Sequence, residues 1–355
     1  MPAMTDSEAA RWAAEALLAL VRAPSPPSRE HPAVDEAERI ARSLGFDVRR
    51  MPVDGCADNL VIGATGDRPQ LLLNAHLDTI APSWDPEPPR LEDGRVHGLG
   101  SVDDKGQAVA FLLALHLAGA PAGVAVGLTV DEEDEGRGSL QMAEALRPPR
   151  VIVGEGTDLR IAEEECGHVE ARVRFTGTSV HGSYAEPPGN PIHDLSRFVA
   201  SLDADPLAPP AVIAAVVREM HGGGAMNVSP EDAWLEMHGR VAPGGDAAAF
   251  GRALGARVAA MGGRVEFGEI EEPFSSSPSP IGAMLSEALG GAESMLMPAW
   301  TDAHNFVEIA GSDAVVFGPG TLLDAHRPGE SIAVADIVRA ARAVADVVER
   351  VEVAV

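Results

Sequence analysis

Histidines and carboxylates recur at the ends of apolar runs in this chain. The run LLLNA at 71–75 delivers His76, and Asp78 follows two residues later. In an extended segment, residues i and i+2 point to the same side, so His76 can offer its imidazole to a metal while Asp78 orients the ring. Asp103 and Asp104 stand in a glycine-flanked loop ahead of Lys105 and Gly106. Two aspartates at a helix start can serve as caps, and a carboxylate with both oxygens free can equally bridge two divalent cations. Asp131, Glu132 and Glu133 follow the run VAVGLTV. Three successive carboxylates repel each other and need cations or solvent. Glu155 ends VIVGE between glycines, and His326 lies in DAHRPGE after a further apolar run. Taken singly, each reads as readily as a cap, a solvated turn or an ordinary core group. Together, two histidines and three carboxylates without a thiolate suit a two-metal hydrolytic site for Zn²⁺, Co²⁺ or Mn²⁺.

The elements that must position them follow from periodicity. Residues 7–22 have helical spacing with Ser7 as the expected N-cap, and residues 31–44 form a second helix ended by Gly45. Apolar strands at 59–64, 71–75, 124–130 and 151–155 alternate with helices at 107–118 and 138–146, which argues α/β with a mostly parallel sheet. Several strands end in potential ligands, in keeping with sites beyond the carboxyl ends of such sheets. The pattern changes near 166. HVEARVRFTG, AVIAAVVREM (211–220) and AWLEMHGRV alternate as half-buried strands, with helices at 190–202 and 245–260 between and after them. SSSPSP at 275–280 punctuates the return to the first style, with helices at 281–289 and 333–351. The expected organisation is a three-layer α/β/α catalytic domain (1–166 and 278–355) interrupted by an α+β domain at 167–277.

Composition narrows the function classes. The chain has 355 residues, enough for two domains, and 54 Asp plus Glu against 27 Lys plus Arg give a formal charge of −27. Lys105 is the single lysine. So acidic a chain repels nucleic-acid backbones and anionic membranes. Cys56 and Cys166 make no disulfide framework. No signal-like or membrane-length apolar stretch is present, so a cytoplasmic location is expected.

NAHLDTI (74–80), GLGSVDDKGQ (98–107), TVDEEDEGRGS (129–139), GEGTDL (154–159), VHGS (180–183), GGGAMNVSPEDA (222–233), GRVAPG (239–244) and FGPGTLLDAHRPGES (317–331) occur in an order that resembles the M20 metallopeptidases. The last run most resembles the acetylornithine deacetylase branch. The resemblance implies that Asp103 bridges two metals, with His76 and Glu155 completing one and Glu133 and His326 the other. It further implies that Asp78 orients His76 and that Glu132 is the general base. The inserted domain becomes a ferredoxin-like lid and homodimer surface. His181 then stabilises the oxyanion, typically from the partner subunit, while Asn227 and Arg240 contact the substrate and its carboxylate. The implied substrate is a small N-acyl amino acid such as N-acetylornithine. The alternatives are an amino acid on an acidic amino-group carrier protein, a succinyl-diaminopimelate or a dipeptide. A non-catalytic metal-binding protein is the competing class. The chain departs from the family pattern at Leu99, where a basic residue is usual, at Gly156, at His238 and across 300–304.

Overall fold

The computed structural model describes residues 4–63, 68–184, 189–204 and 212–352. Ala64 and Ala211, expected ends of two strands, lie outside these residues. The chain divides into two compact units, one of Met1–Glu163, Ser276–Met297 and Thr301–Val355, the other of Glu164–Ser275 and Pro298–Trp300.

The first unit is mixed α/β. Its sheet runs Val48–Met51, Asn59–Ile62, Val124–Thr129, Leu71–His76, Arg150–Val153, Asp313–Val316, Ile161–Glu165. The four middle strands are parallel and the flanks antiparallel, so the sheet is less uniformly parallel than the sequence suggests. The reason is local: the short link from Met51 to Asn59 can join only antiparallel neighbours, whereas parallel pairs need a helical crossover. Alternation sends Leu71, Leu73 and Ala75 into the core that includes Leu17, Phe111 and Val344 of helices Asp6–Arg22, Lys105–Leu117 and Val334–Glu352. On the opposite side Gly127 makes room for Met142 of helix Arg137–Leu146; an added Cβ would lie 2.5 Å from Met142 Sδ. Helices therefore cover both faces.

Two helix starts differ from expectation. The first helix is capped by Thr5, not Ser7, because Thr5 and Glu8 complete a reciprocal capping box. The helix expected at 107–118 begins at Lys105, directly behind the aspartate pair, and is buried on all sides from Lys105 to Leu115.

The second unit is β-rich. Strands Gly167–Thr176, Val212–Gly222, Asp232–Val241 and Arg264–Glu271 form an antiparallel sheet in the order second, third, first, fourth. Helices Pro191–Ala204 and Ala247–Ala260 supply Phe198 and Phe250 to a core with Val169, Val173, Leu235 and Met237. The alternate residues His168, Glu170, Arg172, Glu236, His238 and Arg240 take the other side of the sheet. Among the described residues, no helix is long and apolar enough to cross a membrane.

Candidate metal centre

The centre lies in the first unit, where parallel strands end. Strand Leu71–His76 terminates on His76, which is paired with Thr129 at the end of the neighbouring strand. Asp103 separates two histidines: Oδ1 is 2.9 Å from His76 Nε2, and Oδ2 is 3.1 Å from His326 Nε2. His326 Nε2 is also 2.9 Å from Glu133 Oε1. On the other side, His76 Nε2 lies 3.8 Å from Glu132 Oε2 and 3.9 Å from Glu155 Oε1. Two donor groups result, His76–Glu132–Glu155 and Asp103–Glu133–His326, each with ligand atoms within 4.8 Å of one another.

Neighbouring groups hold these side chains from behind. Asp78 Oδ2 accepts the Glu133 backbone N–H at 2.9 Å, and its Oδ1 lies 3.5 Å from His76 Nδ1. One buried carboxylate thus contacts both the imidazole and the 131–133 turn. Glu330 Oε1 accepts the N–H groups of Val102 and Asp103 at 2.8 and 3.3 Å. Asp104 does not cap the helix that follows with its side chain; instead its Oδ2 accepts the His76 N–H at 3.0 Å. Asp302 is buried and accepts Thr129 Oγ1–H at 2.7 Å. Asp104, Asp302 and Glu330 are supports that the sequence reading did not single out.

The charge balance of the centre fits divalent cations. Burial, reinforced by the surrounding carboxylates, pushes Glu132 and Glu155 well above the usual carboxylate range. Burial also raises Glu133, although His326 opposes the shift. Burial resists ionisation of Asp103 too, yet hydrogen bonds from His326 and His76 hold it below that range. His326 is raised to about 10 by Asp103 and Glu133. Burial works against a charged His76, but Glu132, Asp103 and Asp78 outweigh it and lift it well above its usual value. Glu155 Oε2 is buried without a hydrogen-bond partner. So many buried anions, with nitrogen and oxygen donors and no thiolate, match the requirements of two hard or borderline divalent ions.

The sequence profile of peptidase family M20/M25/M40 matches residues 72–350, a span containing every one of these side chains. The chain belongs to peptidase family M20/M25/M40. Membership and the two donor groups make it a metal-dependent hydrolase. A curated relative from Pyrobaculum aerophilum, named as a LysW-lysine/LysW-ornithine hydrolase, is 29% identical over 338 residues, covering 91% of this chain and 93% of the relative. Among solved structures, a tripeptidase of Staphylococcus aureus superposes with a TM-score of 0.76 at 18% identity, covering 97% of this chain and 98% of that one. An M20 family metallo-carboxypeptidase of Sulfolobus solfataricus gives 0.75 at 18% identity, with 95% and 98% covered. At these identities the structural matches establish the shared M20 fold.

His181, Asn227 and Arg240 belong to the second unit. His181 and Asn227 lie on adjoining loops: the Gly182 N–H donates to the Asn227 carbonyl, and His181 forms an isolated bridge with Val228. The Ser183 N–H donates to His181 Nδ1 at 3.2 Å, so the neutral ring presents Nε2–H. Arg240 is paired across the sheet with His168, and its guanidinium donates to His168 Nδ1. Burial together with the Arg240 charge lowers His168 to about 4 and keeps it a neutral acceptor. His238 stacks edge-on against His168 at 4.9 Å, and both approach Glu170 at 3.4 Å. That His–Glu–His group has metal-like spacing. The adjacent guanidinium opposes a cation there and fixes the His168 proton on Nε2, the nitrogen facing Glu170.

Gly156 has a steric explanation. An added Cβ would meet Leu322 N at 2.9 Å and the Thr321 carbonyl carbon at 3.0 Å, while the Leu322 N–H donates to the Gly156 carbonyl at 3.0 Å. The segment leading to His326 is laid directly over this residue.

Proposed function

We propose that the protein is a dinuclear metal-dependent amidohydrolase that releases an amino acid from a linear N-acyl linkage. The observation that carries the reading is Asp103, whose two carboxylate oxygens each face a different histidine. Asp103 would be shared by both ions, Zn²⁺ in the first instance and Co²⁺ or Mn²⁺ as substitutes. His76 and Glu155 would hold one ion, and Glu133 and His326 the other. When bound, such ions polarise a carbonyl and acidify a water molecule.

The protein's own groups perform the remaining steps. Glu132 accepts the proton of the attacking water and returns it to the departing amine. Asp78 keeps His76 oriented. His181 Nε2–H donates to the developing oxyanion, and Asn227 assists in substrate binding. Arg240 has no carboxylate partner among the described residues, which leaves it suited to bidentate capture of the substrate carboxylate. The β-α-β-β-α-β order of the second unit supports a ferredoxin-like lid that also forms a homodimer surface.

The first substrate class is a small N-acyl amino acid of the N-acetylornithine kind. The Pyrobaculum aerophilum relative favours a second reading, release of lysine or ornithine from an amino-group carrier protein. Hydrolysis assays on N-acetyl, N-succinyl and γ-glutamyl amino acids, dipeptides and a carrier-linked lysine separate these readings. Glu132→Gln should lower kcat on the preferred substrate by about 10²–10⁴-fold while metal content is retained. Full activity in that variant would sink the mechanism. Mixing His181→Ala with Glu132→Ala chains should restore activity if the subunits exchange and share sites; no recovery despite demonstrated exchange would refute the shared site.

A further inference from the structure

Beside the metal centre, the first unit holds a pocket of about 330 Å³ whose walls include Val21, Ile80, Pro89 and Leu99. Leu99 is the residue that stands where the family pattern has a basic side chain, and its identity makes this wall apolar. The wall is built rigidly: Gly98 and Gly100 flank Leu99 with φ of +142° and +80°. A Cβ on Gly98 would come within 2.5 Å of Val21 Cγ1, and one on Gly100 within 2.6 Å of Thr79 Cγ2.

Two buried polar groups line the same pocket. Lys105 is 1% exposed and Ser25 is 1% exposed. Lys105 Nζ donates to the Ala23 carbonyl at 2.9 Å and has no carboxylate within ion-pair distance among the described residues; burial lowers this group to about 7, against the opposing pull of Asp78 and Glu330. An ammonium has three donors, so its hydrogen-bonding capacity is only partly used. Ser25 Oγ has no hydrogen-bond partner at all. A buried amine and a buried hydroxyl with unused hydrogen-bonding capacity are costly unless something else meets them. Glu87 also lines the pocket, but its carboxylate is engaged by Arg90 at 2.7 Å.

We propose that this pocket is a second small-molecule site, which takes a compact branched aliphatic carboxylate with its carboxylate on Lys105 Nζ and Ser25 Oγ and its hydrocarbon against Leu99, Ile80 and Val21. The site is independent of the amide-cleaving reading and needs no metal. Binding to the pocket is told apart from binding at the metal centre by Leu99→Trp and Ser25→Ala, because neither residue belongs to the donor groups of the centre. The probes are 4-methylpentanoate and 4-methylpentan-1-ol, which share a hydrocarbon body and differ in the charged head. Ligand-observed NMR titration should show the carboxylate binding at least about tenfold more tightly than the alcohol. Leu99→Trp should abolish binding of both by filling the pocket. Ser25→Ala, a near-isosteric change, should weaken the carboxylate severalfold and leave the alcohol's affinity close to wild type. Lys105→Met should erase the preference for the acid if that variant folds; the other two variants carry the test if it does not. No carboxylate binding to the wild type, equal binding of acid and alcohol, or binding unaffected by Leu99→Trp would overturn the proposal.

Discussion

In the metal-free protein, His76 and His326 both stand above their usual values because carboxylates surround them. His326, raised to about 10, is protonated at pH 7, and a metal that used its nitrogen would have to displace that proton. Zinc titration calorimetry in buffers of differing ionisation enthalpy should show at least one proton released per chain on loading, and the His326→Ala variant should release fewer. Metal uptake with no proton release would contradict the placement of these histidines. At this scale four of the ligand candidates were legible because they end or closely follow apolar runs: His76, Glu132, Glu133 and Glu155. The supports were less legible. Glu330 reaches Asp103 across 227 positions of sequence, and Asp302 meets Thr129 across 173, separations that carry no periodic signal.

Turns and crossings hold the centre, and two of them are open to test. Gly156 lies under Thr321 and Leu322. Gly156→Ala should destabilise the protein by about 1–3 kcal/mol through forced backbone displacement, read by denaturant unfolding, and should weaken metal binding because His326 lies on the displaced segment. An unchanged variant would contradict the close approach. Ahead of Glu132, Asp131 is fully buried and accepts both Arg137 Nε and Nη2, at 2.7 and 2.8 Å. Burial opposes the Asp131 charge, but Arg137 prevails and lowers its value below the ordinary 3.8. The folded state thus binds the proton less readily than the unfolded chain. The pair's stabilisation is complete above that ordinary value and fades as pH falls through the folded one. Arg137→Met should cost roughly 2 kcal/mol at pH 7, less than a fully buried pair because the guanidinium is 32% exposed. The deficit should shrink towards pH 3. A deficit that does not change with pH would assign it to packing. The helices and apolar strands were legible from spacing. The antiparallel flanks of the first sheet were not, since an apolar run does not state the direction of its neighbour.

A formal charge of −27 over 355 residues acts on the whole chain at once. Self-repulsion among unpaired acids should make the protein more stable in salt, with Tm rising between low and about 0.5 M sodium chloride as the Debye length shortens to a few Å. A flat or falling Tm would show that ion pairs such as Arg50 with Glu38 and Asp35 contribute more than repulsion removes. The division into an α/β unit and a β-rich insertion was legible because strand patterning changes from continuous apolar runs to alternation near residue 166. Substrate identity is less legible, since the chain leaves its family's pattern at Leu99, at His238 and across 300–304. If Asp103 joins two metal positions, as proposed, the number of ions held must depend on it. Elemental analysis of zinc-reconstituted, buffer-exchanged protein tests it most directly. Wild type should hold two ions per chain, and folded Asp103→Ala should hold fewer than one. A single ion in wild type, or two retained without Asp103, would contradict the account.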